Sequence, residues 1–479
     1  MAFRSLEFLY FFALFYALYL VLQKQRRLQN LLLLAACYVF YGWGGWRMAL
    51  LIGGLTLLDY LVGLGLGPGK DEKAARLPRG LLLLTSLGAN LGALVAFKYF
   101  NFFAGSFFSV LNRLGVEAAA PSLDLALPLG ISFFTLKSMS YVIDVYQRRS
   151  QPTRSLLEYA IYVAFFPALP AGPMDRAHVL LPQIARPRSP SASQTAAGVY
   201  LLIWGFFKKL VVADNLANVV NPVFADPAQY AGADYLLAVL AFGVQIYADF
   251  SAYSDIGRGL AKLLGFELTI NFRLPFLALN PTDFWQRWHI SFSEWLRDYI
   301  FFPSRRALLK LKFLPELLPP MITMLVSGLW HGAGWTFLLW GGYHGLLMVL
   351  YRRFEKRPIH QDPWNSGQAF PLVGLRIVLM LALVSFGWLF FRAESVGQVW
   401  YMLSHFRAAA SEQSLLFATD LLFYSAPLIL MDTVQYASGN LLVATRLPAP
   451  LRALFYALLL AGIILLAPSE VTEFIYAQF

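Results

Sequence analysis

The sequence predicts an all-α polytopic membrane protein, and three observations carry that prediction. Of the 479 residues, 58% are hydrophobic and only 14% charged, against about 25% charged in soluble domains; the mean hydropathy is +0.57. Apolar runs at 6–22, 48–66, 81–99, 232–248, 335–351, 372–391 and 453–467 recur along the chain. Many approach the roughly 20 residues that a helix needs to cross the hydrocarbon layer. The runs are also continuous, whereas a transmembrane barrel alternates apolar and polar residues over about ten positions.

Taken in order, spans are expected near 5–22, 29–43, 48–66, 80–99 and 125–146. Residues 1–22 carry Arg4 and Glu7, and no small-residue cleavage site precedes Lys24–Arg27. They read as a retained helix rather than a secretory signal. The short run 156–170 is broken by Pro167, Pro170 and Pro173, which suits a re-entrant or broken element covered by protein. Residues 181–194 form a polar Pro/Ser-rich loop, followed by spans near 195–216 and 231–250. In 252–315, Phe284, Trp285, Trp288, Phe292, Trp295 and Tyr299 recur every three or four residues. That spacing predicts an amphipathic helix at an interface or packed across the cytoplasmic mouth of a cavity. The chain returns to the membrane over 320–352, with Gly328, Gly332, Gly334, Gly341, Gly342 and Gly345 permitting close helix approach. Runs near 372–391, 416–431 and 453–470 bring the expectation to roughly eleven crossings. The whole chain, 1–479, reads as one integral-membrane domain, with 252–352 as its catalytic region.

The net charge of +11 falls mainly in short loops, which positive-inside bias explains better than nucleic-acid binding. Lys24–Arg27, Lys70–Arg79 and Arg148–Arg154 are expected at the cytoplasm. The turn Trp43–Trp46, residues 100–120 and the N-terminus then lie outside. A lone Cys37 excludes an intramolecular disulfide, and the sequence holds no H-E-x-x-H and no cysteine pair for zinc. No metal is expected. No fixed-period repeat supports an inverted-repeat transporter.

Histidine within membrane-depth sequence is costly unless it pairs or works. His331 lies in LWHGAGW, where Gly332 and Gly334 bring backbone close and Trp330 and Trp335 are expected to wall a narrow channel. A neutral imidazole there can take a proton from a hydroxyl and return it to a leaving group; its structural alternative is a ring satisfied by a backbone carbonyl. His289 precedes His331 by 42 residues, between Trp288 and Ser291, and is expected to orient the donor, assist the proton path or simply hydrogen-bond at the interface. His344 would lie nearly 20 Å from His331 on one uninterrupted helix, by about 1.5 Å of rise per residue. A structural or channel-lining role follows for it. Gln245, Asp249, Ser251, Asp255 and Arg258 form a second polar cluster at helical spacing. Asp249 and Asp255 read chiefly as helix-to-helix glue, or alternatively as substrate contacts. Asp59, Lys98, Lys137 and Asp144 share that ambiguity, and Lys208–Lys209 are expected at a phosphate-bearing surface.

These residues sit in blocks that resemble one family. NLLLLAACYVFYGW, ISFFTLKSMSYVIDVYQRR, FFPALPAGPMDR, WGFFKKLVVADNLA, QIYADFSAYSDIGRGLAKLLGF, NFRLPFLALNPTDFWQRWHISFSEWLRDYIFFP, LWHGAGWTFLLWGGYHG and SFGWLFFRAESVGQVW follow one another in its order. The chain resembles the membrane-bound O-acyltransferases, in the branch of alginate O-acetylation and, more distantly, teichoic-acid D-alanylation. The resemblance implies a ring of helices around a funnel and central tunnel, and it matches His331 to the family's intramembrane histidine and His289 to its upstream one. It also implies an acyl thioester donor, acetyl-coenzyme A above others, with no permanently bound cofactor. Delivery goes across a bacterial inner membrane to a polysaccharide acceptor, through an extracytoplasmic or membrane-anchored acyltransferase partner. Arg287, Arg297, Arg305 and Arg306, with Lys310 and Lys312 nearby, are candidates for the donor's phosphates. Two departures touch the substrate: Phe302–Arg306 replaces a Pro-Leu-Gly-Gly stretch, and Ala168 stands where the family often has histidine. D-alanyl transfer is the alternative reading within the fold, and a non-enzymatic transporter the remote one.

Overall fold

The computed structural model describes residues 1–67, 78–170, 172–311, 314–354, 370–407, 409–469 and 474–475. Among them every regular element is helical, as burial in lipid demands, because a helix satisfies its own backbone hydrogen bonds. The chain divides into two compact units, Met1–Gly198 with Gly257–Thr269, and Val199–Ile256 with Ile270–Phe479.

The first unit holds α1 (Leu6–Val21), α2 (Arg26–Gly42), α3 (Trp46–Leu66), α4 (Arg79–Leu94), α5 (Phe100–Arg113), α6 (Ile131–Tyr146), α7 (Leu156–Ala164), α8 (Ala177–Ile184) and the start of α9 (Ala192–Phe207). The expected loop over 100–120 is not one at its start. A π-helical turn at Val95–Tyr99 joins α4 to α5, and one helix runs from Arg79 to Arg113. The broken element is present: α7 ends at Ala164, and Phe165 and Phe166 continue fully buried without helix. The polar loop over 181–194 is partly helical, and its Arg188 is buried. Arg188 donates to Tyr19 Oη at 2.9 Å, to the Ile184 carbonyl at 2.8 Å and to Asn30. A desolvated guanidinium needs such acceptors, which polarity of sequence alone does not foretell.

The unit's other buried charges are also satisfied. Asp59 accepts from Ser86 Oγ at 2.5 Å and Asn90 Nδ2 at 2.9 Å. Lys98 reaches Ser132 at 3.5 Å, Lys137 donates to the Tyr162 carbonyl at 2.7 Å, and Asp144 faces Arg149 at 3.8 Å. The basic loop of 70–79 falls mostly outside the described residues.

The second unit holds the rest of α9, α10 (Asp214–Ala225), most of α11 (Gly232–Leu263), α12 (Pro281–Arg287), α13 (Ile290–Leu296), α14 (Phe302–Leu308), α15 (Leu314–His331), α16 (Trp335–Phe354), α17 (Phe370–Arg392), α18 (Val396–Ser404), α19 (Glu412–Ser438) and α20 (Ala449–Leu466). Helices α15 and α16 form a tight hairpin. A Cβ on Gly328 would come within 2.2 Å of the Phe337 carbonyl oxygen, and one on Gly341 within 2.3 Å of that of Met324. Only glycine permits this backbone approach.

Seven helices among the described residues are long and apolar enough to cross a membrane. The sequence-based expectation of about eleven also took in the segments that became α1, α2 and α6, which are 16, 17 and 16 residues long, and the α15–α16 pair. The protein is a multi-pass, helical membrane protein.

Candidate active site

The predicted amphipathic helix through 284–299 is interrupted at its centre. Helix α12 ends at Arg287, Trp288 is extended, and His289 takes a left-handed conformation with φ 43° and ψ 55°. A non-glycine residue there is strained and needs bracing. Asn271 supplies the brace. Its carbonyl accepts from Ile290 N–H at 2.9 Å, and its Oδ1 accepts from Ser291 N–H at 3.2 Å and Ser291 Oγ–H at 2.7 Å. The aromatic periodicity survives the break because both half-helices still bury Phe284, Trp288, Phe292 and Trp295. The kink turns His289 inward, to 1% exposure. Burial pushes its imidazole down to about 3, so the ring is neutral at physiological pH.

His331 is the last residue of α15 and is 3% exposed. Rings enclose it: Trp330 at 5.0 Å between centroids, Trp340 at 5.1 Å, Phe391 at 5.2 Å and Phe292 at 5.7 Å. His289 packs on two of the same rings, Phe292 at 5.0 Å and Trp330 at 5.8 Å, and on Phe250 at 4.6 Å. Two histidines 42 residues apart are thus set on one stacked pair, Phe292 and Trp330, whose centroids lie 4.1 Å apart.

The wall opposite Trp330 is Trp340, not Trp335. Trp335 begins α16 and is 58% exposed, while Trp340 lies one turn and a half further on, facing inward. The uninterrupted helix assumed between His331 and His344 does not exist, because the chain turns back over 332–334. Even so, His344 does not touch His331. It packs on Trp340 at 4.9 Å and Trp285 at 5.3 Å, so Trp340 stands between the two imidazoles. Gly332 N–H and Gly334 N–H are used within the turn, toward Gly328 and Gly332 carbonyls. Among the described residues, the buried Nε1 groups of Trp340, Trp388 and Trp285 have no hydrogen-bond partner, nor has His344 Nε2.

A cavity of about 420 Å³ adjoins these rings, within the roughly 300–1,000 Å³ typical of small-molecule sites. Its floor is apolar, with buried Met324, Met348 and Leu296, and its rim carries Arg297 and Arg352. Arg297 pairs with Asp298 at 2.9 Å, a hydrogen bond that raises its pKa. Arg352 lies over the Phe301 ring at 5.0 Å. Sequence reasoning missed Arg352, which sits at the end of an apolar run and reads as an ordinary topological charge. The other arginine candidates do not line the cavity, although Arg305 is near enough to repel Arg352 electrostatically. Arg287 is held by Asp283 at 2.7 Å, Arg305 and Arg306 are exposed on α14 outside the cavity lining, Lys310 is likewise exposed, and Lys312 lies outside the described residues.

The Asp249 and Asp255 cluster is a separate, paired network. Lys209 binds Asp214 at 2.8 Å and Asp249 at 2.9 Å, and Lys208 binds Asp255 at 2.8 Å and Ser251 at 2.7 Å. Ile475 N–H also donates to Asp249, at 2.8 Å. Both lysines start a π-helical turn at Lys208–Ala213 and are buried, which overturns their expected place at a phosphate-bearing surface. The adjacent carboxylates offset part of the lysines' desolvation.

The sequence model of the membrane-bound O-acyltransferase family matches residues 128–390, a span containing both histidines and the cavity. A probable alginate O-acetylase of Azotobacter vinelandii is 37% identical over 84% of this chain and 77% of its own length. A peptidoglycan O-acetyltransferase of Helicobacter pylori is 30% identical over 76% of this chain and 71% of its own. A teichoic acid D-alanyltransferase of Bacillus subtilis is 26% identical over 56% and 69%. With buried histidines inside the matched region and relatives of this extent, the chain belongs to the membrane-bound O-acyltransferase family.

Proposed function

We propose that this protein moves an acetyl group from a thioester donor on the cytoplasmic side of a bacterial inner membrane toward a polysaccharide hydroxyl outside, with His331 as general base. The convergence of His289 and His331 on the Phe292–Trp330 pair carries the reading. Nothing in helix packing requires two imidazoles on one aromatic pair, whereas acyl transfer needs a proton acceptor and a polar group to align the donor. The alginate and peptidoglycan acetylases among the relatives support acetyl as cargo and a glycan as final acceptor.

His331 takes the proton of the acceptor hydroxyl as its oxygen attacks the thioester carbonyl carbon. The tetrahedral intermediate collapses by breaking the carbon–sulfur bond, and the thiolate leaves with the proton that His331 held. The position of His331 at the C-terminus of α15 favours the transient imidazolium, because that helix end carries partial negative charge. With the Gly332 and Gly334 amides occupied in the turn, the Trp340 indole N–H beside His331 is the better donor to the oxyanion. His289, neutral and braced, orients the donor. Arg297 and Arg352 at the cavity rim suit the phosphates of a pantetheine-bearing donor, and the aromatic shell keeps out the water that would waste the thioester.

An extracytoplasmic or membrane-anchored acyltransferase completes delivery to the polysaccharide. The test is reconstitution in vesicles with labelled acetyl-coenzyme A, with and without the products of neighbouring genes. Label in a partner hydroxyl or glycan, absent with His331→Ala at equal protein level, is the expected result. Label entering only from a D-alanyl carrier would replace the cargo, and efficient glycan acetylation by this chain alone would remove the partner.

A further inference from the structure

Helices α12 and α13 begin in different ways. The start of α12 is capped by its own sequence: Asn280 Oδ1 accepts from Asp283 N–H at 2.9 Å, and Pro281 opens the first turn. These are residue types that suit a helix start. In α13 the capping position belongs to His289, which is left-handed and makes no capping hydrogen bond. Serine, threonine, aspartate and asparagine cap a start with their own side chains, and histidine is not among them. Helix formation therefore gives no reason for a histidine at 289, and the cap that it fails to provide has to come from elsewhere.

It comes from Asn271, which is 1% exposed. The Ile290 N–H reaches its carbonyl, and the Ser291 N–H and hydroxyl both reach Oδ1. On the other side Nδ2 donates to Ser254 Oγ of α11 at 3.3 Å. A flipped amide would set Nδ2 against the Ser291 N–H, donor against donor, so the contacts fix which atom faces α13. The next residues hold the other half of the break. Arg273 N–H donates to the Arg287 carbonyl at 2.9 Å, and the Phe272 ring meets Trp288 at 5.0 Å. Leu274 follows with φ 52°. Of the three left-handed non-glycine residues among the described residues, two thus lie in the segments that this contact joins. Such strain persists where its surroundings over-determine it, and it clusters at functional sites. We propose that Asn271 is a positioning residue for acyl transfer, setting the His289 imidazole by capping α13 across the intervening chain. The assignment rests on the proposed function for the reaction it serves, and Asn271 acts in it only through His289.

Two readouts test it. In transfer assays Asn271→Ala should lower kcat by roughly 30-fold or more, as a misplaced group does, with the donor concentration for half-maximal rate within about twofold. Asn271→Asp keeps an acceptor for both Ser291 groups and should return transfer to within about fivefold of wild type. In a His289→Gly protein no ring remains to be set, so Asn271→Ala should cost less than about threefold more. Equal losses in the two backgrounds overturn the assignment, and so does an Asn271→Asp protein as impaired as Asn271→Ala. Should Asn271→Ala fail to insert, Ser291→Ala carries the same comparison, since it removes one of the three hydrogen bonds and leaves the two backbone ones. The second readout needs no donor. In a Cys37→Ala, His289→Cys protein, Asn271→Ala should raise labelling of the new thiol by a small water-soluble reagent roughly tenfold, through local opening, and Asn271→Asp should leave it within about twofold. An unchanged rate overturns the positioning role. So does an equal rise at the native, buried Cys37 of an Asn271→Ala protein that retains His289, since that reports general loosening. A wild-type protein that uses no acyl thioester would sink the proposed function, with the labelling still deciding whether Asn271 sets position 289.

Discussion

Two buried polar regions of the second unit obey opposite rules. Around the π-helical turn at Lys208–Ala213, each charge meets an opposite charge: Lys208 with Asp255, and Lys209 with Asp214 and Asp249. Around His331, rings replace ion pairs, and three tryptophan N–H groups and one imidazole nitrogen have no partner. Opposite charges paired across α10 and α11 hold helices together, although Asp249 Oδ1 and Lys209 Nζ gain only ion pairs and no hydrogen bond of good geometry. A buried polar atom without a protein partner carries a desolvation cost that packing does not repay.

The sharpest way to break this contrast is His331→Ala. It should reduce acyl transfer by about a thousandfold or more with normal insertion and abundance, read as labelled acetyl transfer per folded molecule. Near-normal transfer would place His331 with the structural groups. Lys209→Met should do the reverse. It leaves Asp214 and Asp249 as buried anions without their cation, at a cost of roughly 3–5 kcal/mol. Thermal unfolding in detergent should reveal that loss, while activity per folded molecule stays close to normal; a stable but inactive Lys209→Met protein would move the network into the chemistry.

His289 needs a subtler substitution because its backbone is left-handed. His289→Gly removes the imidazole without opposing φ 43°, and should lower transfer by about a hundredfold, with a stability loss from the vacated ring space partly offset by relief of the left-handed strain. His289→Ala keeps the left-handed strain of roughly 1–2 kcal/mol that histidine already bears, so a large difference in activity between the two variants would assign His289's importance to the kink rather than the ring. The smallest effects belong to the rim. Arg352→Gln or Arg297→Gln should raise the donor concentration for half-maximal rate several-fold with kcat preserved, and salt should weaken the wild-type advantage. Neutralising exposed Arg305 and Arg306 together should do less; a larger effect there would relocate the donor's phosphates to α14.

Some of this architecture is legible in the residues because lipid imposes a simple rule: long apolar runs become helices. That rule found the span that became α17 from its run at 372–391, and the broken element after Ala164 from its three prolines. It failed at 100–113, where the aromatic, lightly charged sequence after Tyr99 remained helical through a π-turn instead of ending the span. It failed again at His289, where aromatic spacing of three and four fits a continuous helix equally well. What braces the break there is a set of hydrogen bonds donated by Ile290 and Ser291 to Asn271, 18 residues upstream of His289, and no local pattern records them.

The site divides in the same way. The sequence by itself determined the helical membrane class and the family, and singled out His289 and His331 as candidates, because hydrophobicity, composition and motif identity are properties of the chain. Tertiary structure decided which neighbours those histidines have. It chose Trp340 over Trp335, brought Arg352 to the cavity rim, and matched Lys208 and Lys209 to acids on α10 and α11. The physical reason is that enclosure and charge pairing depend on which faces distant helices turn toward one another, and a glycine-hinged hairpin or a left-handed residue changes that facing without altering the hydrophobic pattern.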